Sequence, residues 1–229
     1  MDVFISLLKV IWDVEVMRFV EGIFRGALKY ELALDLQLSG EELELISKYN
    51  PGTLMNSMSY LDDCAYQNAC HGISTNLEVL HSDNEKRDIY DKEFKIIDKL
   101  IMKFNERGCN NILKKYRSCD DSKKNGCYGY SCATLARIYG GIDDRGKYYI
   151  KKINKGIEIS KNMCFKKNNA GNCGVLGDIY ITKGTNFYDK AKTAFKKGCR
   201  LTNESSKKNT GNICLFCCEN YQDLIDKGW

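Results

Sequence analysis

Twelve cysteines, all confined to residues 64–229, constrain this 229-residue chain more than any other feature of its sequence. A chain so rich in thiols either pairs them in an oxidising compartment or uses them to hold metal. The cysteine-free stretch 1–63 is also the acidic part, with five Lys/Arg against eleven Asp/Glu, whereas the remainder carries 30 against 19. The sequence thus divides into an acidic N-terminal segment (1–63) and a basic, cysteine-rich domain (64–229). Its single proline, Pro51, stands where average usage gives about eleven, which argues for helices and against a many-turned β architecture. With 43% hydrophobic and 28% charged residues, the chain has enough apolar side chain to build a core.

The apolar opening run Val3–Leu8 follows Asp2 and is interrupted by Lys9. It lacks the basic flank of a secretory signal, so none is expected. No apolar stretch reaches 18 residues, and the expectation is a soluble chain without a membrane span. The basic excess of the second part comes mainly from Lys, with eight Arg in the whole chain. No nucleic-acid-binding motif accompanies it, so nucleic acid is not expected as a partner. A solvated basic face and an anionic partner both stay open.

One spacing recurs four times, as Cys109–Tyr116, Cys132–Tyr139, Cys173–Tyr180 and Cys214–Tyr221. The last three copies of this Cys-x6-Tyr are spaced 41 residues apart, and Leu135 and Ile138 in one copy match Leu176 and Ile179 in the next. Offsets of 0, 3, 6 and 7 put these residues on one helical face, so each copy predicts a helix start. A glycine break follows, Gly140-Gly141 or Gly184, and then a second amphipathic segment. In one copy that segment carries Tyr149, Ile153 and Ile157, and in the next Phe187, Ala191, Ala194 and Phe195, ending at Gly198-Cys199. The unit is helix, turn, helix with a closing cysteine, the plan of an α-solenoid. A further helix fits 91–106, with Tyr90, Phe94, Ile97, Ile101 and Phe104 at four- and three-residue steps and Gly108 as its C-cap.

The run Cys173-Gly-Val-Leu-Gly-Asp-Ile-Tyr, followed by Gly184, Ala191 and Ala194-Phe-Lys-Lys-Gly-Cys199, resembles a cysteine-rich Sel-one-like repeat, a relative of the tetratricopeptide repeat. The likeness is good over 164–199, fair over 119–163, partial over 200–229, weak over 64–118 and absent over 1–63. It implies an all-α fold, a disulfide-stapled solenoid of antiparallel helix pairs. In that family a bridge joins two cysteines about seven residues apart, which implies Cys119–Cys127, Cys164–Cys173 and Cys199–Cys214, and by analogy Cys64–Cys70. Cys109, Cys132, Cys217 and Cys218 are left unassigned. The metal alternative rests on Cys214-x2-Cys217 and the looser Cys127-x4-Cys132, but neither His71 nor His81 stands at ligand spacing. No metal or other cofactor is therefore assigned, and a redox-active CxxC lacks its usual βαβ setting.

In the acidic segment, residues 10–20 alternate in part and Tyr30–Leu38 alternate strictly, as half-buried strands do, with Gly22 to Gly26 as the turn of a β-hairpin. A continuous helix from Val3 to about Leu28 is the rival reading. Ser39 and Glu42 form a capping-box pattern that opens a helix towards Tyr49, before Pro51.

For function, the two histidines and the absence of a nucleophile–base constellation leave no catalytic residues to name, so an enzyme is the weaker expectation. A stack of helix pairs presents a rigid concave surface, and the resemblance implies a protein-interaction scaffold, with monomers binding another protein through the first helix of each pair. Arg137, Asp178 and Lys183 are the candidate contacts. The resemblance further implies the mitochondrial intermembrane space and assembly of cytochrome c oxidase. The alternative is a periplasmic or secreted bacterial repeat protein that binds or hydrolyses β-lactams, or acts in immunity or host interaction.

Overall fold

The structure is a computed structural model, and it describes residues 35–48, 64, 70, 72–75, 77–78, 91–115, 129–142, 151–208 and 211–228. Regular structure among these residues is entirely helical: α1 (Gly40–Lys48), α2 (Asp91–Lys115), α3 (Tyr130–Gly140), α4 (Ile153–Lys161), α5 (Ala170–Thr182), α6 (Tyr188–Lys208) and α7 (Cys217–Asp226). A π turn, Asn162–Lys166, extends α4, and a 3-10 turn, Thr185–Phe187, leads into α6.

The capping box forms as the sequence predicts. The Glu42 N–H donates to Ser39 Oγ at 3.1 Å, and the Ser39 N–H donates to Glu42 Oε2 at 2.8 Å. The hairpin is corrected at its described end: Asp35 is helical, Leu36 and Gln37 form a turn, and Gln37 has φ 54. A left-handed residue breaks the alternation there, because Leu36 must turn into the core just before the cap. The rest of the hairpin, and of the rival helix, lies outside the described residues. Leu36, Leu45 and Ile46 join the same apolar cluster as Ile97, Ile101 and Phe104 of α2. Ion pairs rim that contact: Lys92 with Glu41 at 2.6 Å, Lys99 and Lys103 with Glu42 at 3.3 and 3.5 Å, and Arg107 with Asp35 at 3.1 Å. Burial pushes the Glu42 carboxyl up, but the Ser39 N–H, Lys103 and Lys99 together outweigh it and hold the group below the usual carboxylate range.

α2 buries Phe94, Ile97, Ile101 and Phe104, the predicted stripe, but it does not end at Gly108. The helix runs on to Lys115 because Gly108 is a packing position: a Cβ there would stand 2.6 Å from Ser131 Oγ on α3. Cys109 therefore lies late in α2 and marks no helix start. α6 departs from expectation in the same way, continuing through Gly198-Cys199 to Lys208. A Cβ on Gly198 would run into Cys217 Sγ and stand 3.1 Å from Cys173 Cβ.

The glycine breaks predicted after the first helices are present. Gly141 caps α3 at φ 73, and Gly184 follows α5 at φ 99, both in the region that favours glycine. Each helix then packs on its sequence neighbour, from α2 through α7, and α3 also packs on α5. Small residues set the close approaches. A Cβ on Gly156 of α4 would stand 2.8 Å from the Ala136 carbonyl, and one on Gly140 would stand 2.6 Å from Ile179. The matched residues Leu135 and Leu176, Ile138 and Ile179, and Tyr139 and Tyr180 are all buried.

Three disulfides link successive helical segments: Cys109, late in α2, to Cys132 near the start of α3, Cys164 in the π turn to Cys173 in α5, and Cys199, midway along α6, to Cys218 at the start of α7. All three hold their Cα atoms 4.6 Å apart. Cys64 is bonded to Cys70, and Cys214 to Cys217. Two pairs follow the pattern the resemblance implies, Cys64–Cys70 and Cys164–Cys173. The Cys199–Cys214 pair is corrected, because α7 starts three residues past Cys214 and presents Cys218 to α6. Leu224, not Tyr221, then takes the buried place in that helix. Cys119 and Cys127 lie outside the described residues, and no described cysteine is free.

Two tests follow from this packing. Gly177→Ala would press a Cβ into the fully buried Phe195 ring, an overpacking expected to cost about 1–3 kcal/mol in chemical denaturation. Gly40→Ala, which meets nothing within 4 Å, should be neutral or slightly stabilising. Non-reducing tryptic mapping should find the Cys199 peptide still linked to the Cys218 peptide in the double variant Cys214→Ala/Cys217→Ala. Cys218→Ala should release it. Release by the double variant would instead mean that Cys199 pairs with Cys214 or Cys217.

Candidate functional site

Residues 41 apart in the sequence occupy matching places on the two neighbouring helices α3 and α5. On α3 the accessible stripe is Tyr130, Ala133 and Arg137, at steps of three and four; Tyr130 is 54% exposed. α5 is buried almost all round, as expected of a helix packed on α3, α4 and α6. Its partly accessible positions include Gly171, the match of Tyr130, and Asp178, the match of Arg137. Gly171 has no side chain with which to cover its neighbours.

Arg137 and Asp178 are brought close enough to act on each other electrostatically. Burial pushes the Asp178 carboxyl up to about 6, and the positive charge of Arg137 offsets only part of that rise. Lys183, just past α5, does not join this pair. Its backbone N–H caps α5 on the carbonyls of Ile179 and Tyr180, and its ammonium lies 4.8 Å from the centre of the Phe187 ring, with Lys190 5.2 Å from the same ring. Phe187 in turn stacks on Tyr180 at 6.1 Å. The three candidate contacts thus separate into a charge pair on the first helices and a lysine–aromatic cluster at the turn.

The sequence reading missed a polar cluster beneath the first helix. Tyr139 Oη donates to Glu106 Oε1 at 2.6 Å, and Lys155 Nζ donates to Tyr139 Oη at 3.0 Å and to Glu106 Oε1 at 3.3 Å. Burial, then the Glu106 hydrogen bond, raises the Tyr139 phenol, and the bond to Tyr139 raises Lys155. The network ties α2, α3 and α4 together. Tyr139 was visible as a repeat position, but its partners lie 33 and 16 residues away and follow no spacing rule.

A polar cleft of about 240 Å³ opens beside the C-terminal half of α6, lined by Asn168, Arg200, Glu204, Ser205, Lys208 and Asn212. Asn212 forms its wall: its Nδ2 donates to the Asn168 carbonyl at 2.7 Å, its Oδ1 accepts from the Ala170 N–H at 2.8 Å, and its N–H donates to Ser205 Oγ at 2.8 Å. These bonds pin the loop before α7 to the start of α5. Among the described residues, no group of three or more His, Cys, Asp or Glu is placed to hold a metal ion. Cys214 and Cys217, the CxxC considered for metal, are bonded to each other.

No family model matches this chain, and neither does any curated protein or solved structure. The five disulfides among the described residues point to an oxidising compartment. No helix among the described residues is long and apolar enough to cross a membrane.

The Asp178 carboxyl has a pH signature. Between its ordinary value of 3.8 and its folded value of about 6, the folded state holds a proton that the unfolded state has lost. Its contribution to stability therefore falls as pH rises through that window, and the buried carboxylate is a cost at pH 7. Asp178→Asn should stabilise the protein at pH 7 by up to about 3 kcal/mol, with the gain shrinking towards pH 4. Chemical denaturation of both proteins across that range measures it, and a gain independent of pH would show that Asp178 titrates normally.

Proposed function

We propose that this chain is a non-enzymatic protein-interaction scaffold, a disulfide-stapled α-solenoid of antiparallel helix pairs, which takes another protein on the concave face of its first helices. The reading rests on one observation above all: Arg137 and Asp178, 41 residues apart, stand at matching, partly accessible positions on packed helices whose other residues are mostly buried. A rigid pair of first helices with opposite charges at matching positions offers a patterned surface that needs no further folding to bind. Disulfides between successive helices keep that surface in register, which suits a scaffold better than a site that must open and close.

The likeness to cysteine-rich Sel-one-like repeats extends the proposal to the mitochondrial intermembrane space and to assembly of the respiratory chain, cytochrome c oxidase in particular. Tagged protein should then be recovered from that space in oxidised form, together with respiratory-chain subunits. Arg137→Glu should lose those subunits while keeping its disulfides and helical signal. Deleting the protein should lower respiration, and only the wild-type chain should restore it. Recovery from the cytosol with reduced thiols would overturn the compartment. Retention of the subunits by Arg137→Glu and by Asp178→Arg would overturn the surface.

A further inference from the structure

Positive charge is not spread evenly over the described helices. Residues 151–208 contain fourteen Lys/Arg against four Asp/Glu, yet the first helices α3 and α5 carry only Arg137 and Asp178. The remaining basic residues of this stretch lie on the second helices α4 and α6 and in their flanking turns. Where the end of α4 meets α6, several of them stand near an exposed aromatic ring. Phe165, in the π turn, is 39% exposed, and its carbonyl accepts from Lys197 Nζ at 3.3 Å, while the same ammonium lies 5.1 Å from the ring centre. Lys161 stands one turn before Phe165 and Lys166 beside it, both exposed, and α6 adds the exposed Arg200, whose charge acts on Lys197, while Lys196 turns towards α7, its ammonium 5.9 Å from the centre of the Tyr221 ring.

Neutralisation within the cluster is incomplete. Glu204 reaches Arg200 at 3.8 Å, and Glu158 is exposed on α4, so among the described residues of this stretch of α4 and α6 two carboxylates stand against Lys161, Lys166, Lys197 and Arg200. Burial, and then the charge of Arg200, hold the Lys197 ammonium below its usual range. Like charges gathered around an exposed apolar ring are costly alone and are relieved by an anionic partner.

We propose that this lysine-rich surface around Phe165 is a peripheral docking site for an anionic lipid bilayer. Two features favour a bilayer over nucleic acid. The cluster is built mainly of lysines, which act as point charges, with Arg200 alone supplying the planar fork suited to phosphodiester contacts. The aromatic rings do not form an open stacking platform either: Phe187 already stacks on Tyr180 beneath two lysines, and Lys197 lies over Phe165. A partly exposed phenylalanine beside ammonium groups matches a headgroup region, where charge meets lipid phosphate and the uncovered part of the ring lies at the boundary with the acyl chains. The site uses none of the first-helix residues, so its fate is separate from that of the protein-binding surface.

The oxidised full-length protein should sediment with phosphatidylcholine vesicles containing about one-third phosphatidylserine and not with pure phosphatidylcholine. Raising salt from about 0.1 to about 1 M, which shortens the screening length from about 10 to about 3 Å, should release it. Lys161→Gln, Lys166→Gln and Arg200→Gln should each lower partition about fivefold, and together about a hundredfold, while circular dichroism and the disulfides stay unchanged. Phe165→Ala should weaken binding further, and Arg137→Glu should leave it intact. The proposal is overturned if the protein binds neither vesicle, if it binds both equally, if the triple variant binds as well as wild type, or if duplex DNA outcompetes the anionic vesicles.

Discussion

Three covalent links between successive helical segments set the geometry on which the other contacts depend. Cys109–Cys132, Cys164–Cys173 and Cys199–Cys218 each hold two Cα atoms 4.6 Å apart. At two of the three a glycine makes room beside the bridge. Gly108 precedes Cys109 and meets Ser131, and Gly198 precedes Cys199 and lies against Cys217. The bridge and the glycine form one device: the glycine admits the second helix and the disulfide keeps it there. Each bridge stabilises by about 2–4 kcal/mol through the unfolded chain, and it also fixes which face of the next helix turns inward.

The charges divide the molecule in a second way. The acidic residues around α1 are partly spent internally, since Glu41, Glu42 and Asp35 meet Lys92, Lys99, Lys103 and Arg107 of α2. The Lys92–Glu41 and Arg107–Asp35 pairs are accessible to solvent and individually weak, whereas Lys99 and Lys103 meet the buried Glu42. Their effect is orientation: they rim an apolar contact through Leu36, Leu45 and Ile46 that holds the segment to the body. The lysines of α4 and α6 have few such partners, which is why the same basic excess reads as internal at one end and as an outward surface at the other.

Much of the candidate site was legible because it follows a period. The 41-residue spacing located Leu135 and Leu176, and Ile138 and Ile179, and it holds where both helices are framed by the same glycine-turn chemistry. It failed where the connecting loop has another length. Cys214 keeps the spacing on paper, but the loop after α6 delays α7 to Cys217, so Cys218 and Leu224 take the places that Cys214 and Tyr221 were expected to fill. Gly108 and Gly198 misled for a related reason. A glycine in a helical pattern reads as a stop, and nothing local reveals that another helix needs the space.

By itself the sequence determined the helical class, the capping box at Ser39 and Glu42, the inward stripe of α2 and the matched positions of α3 and α5. These depend on side-chain periods and on hydrogen bonds between residues a few positions apart, which a linear reading contains. Only the tertiary structure decided the partners of Cys109, Cys132, Cys199, Cys214, Cys217 and Cys218, the joining of Tyr139 to Glu106 and Lys155, and the meeting of Lys197 with Phe165. Those contacts exist because whole helices approach at particular angles, and the approach is set by glycines, loop lengths and burial acting together.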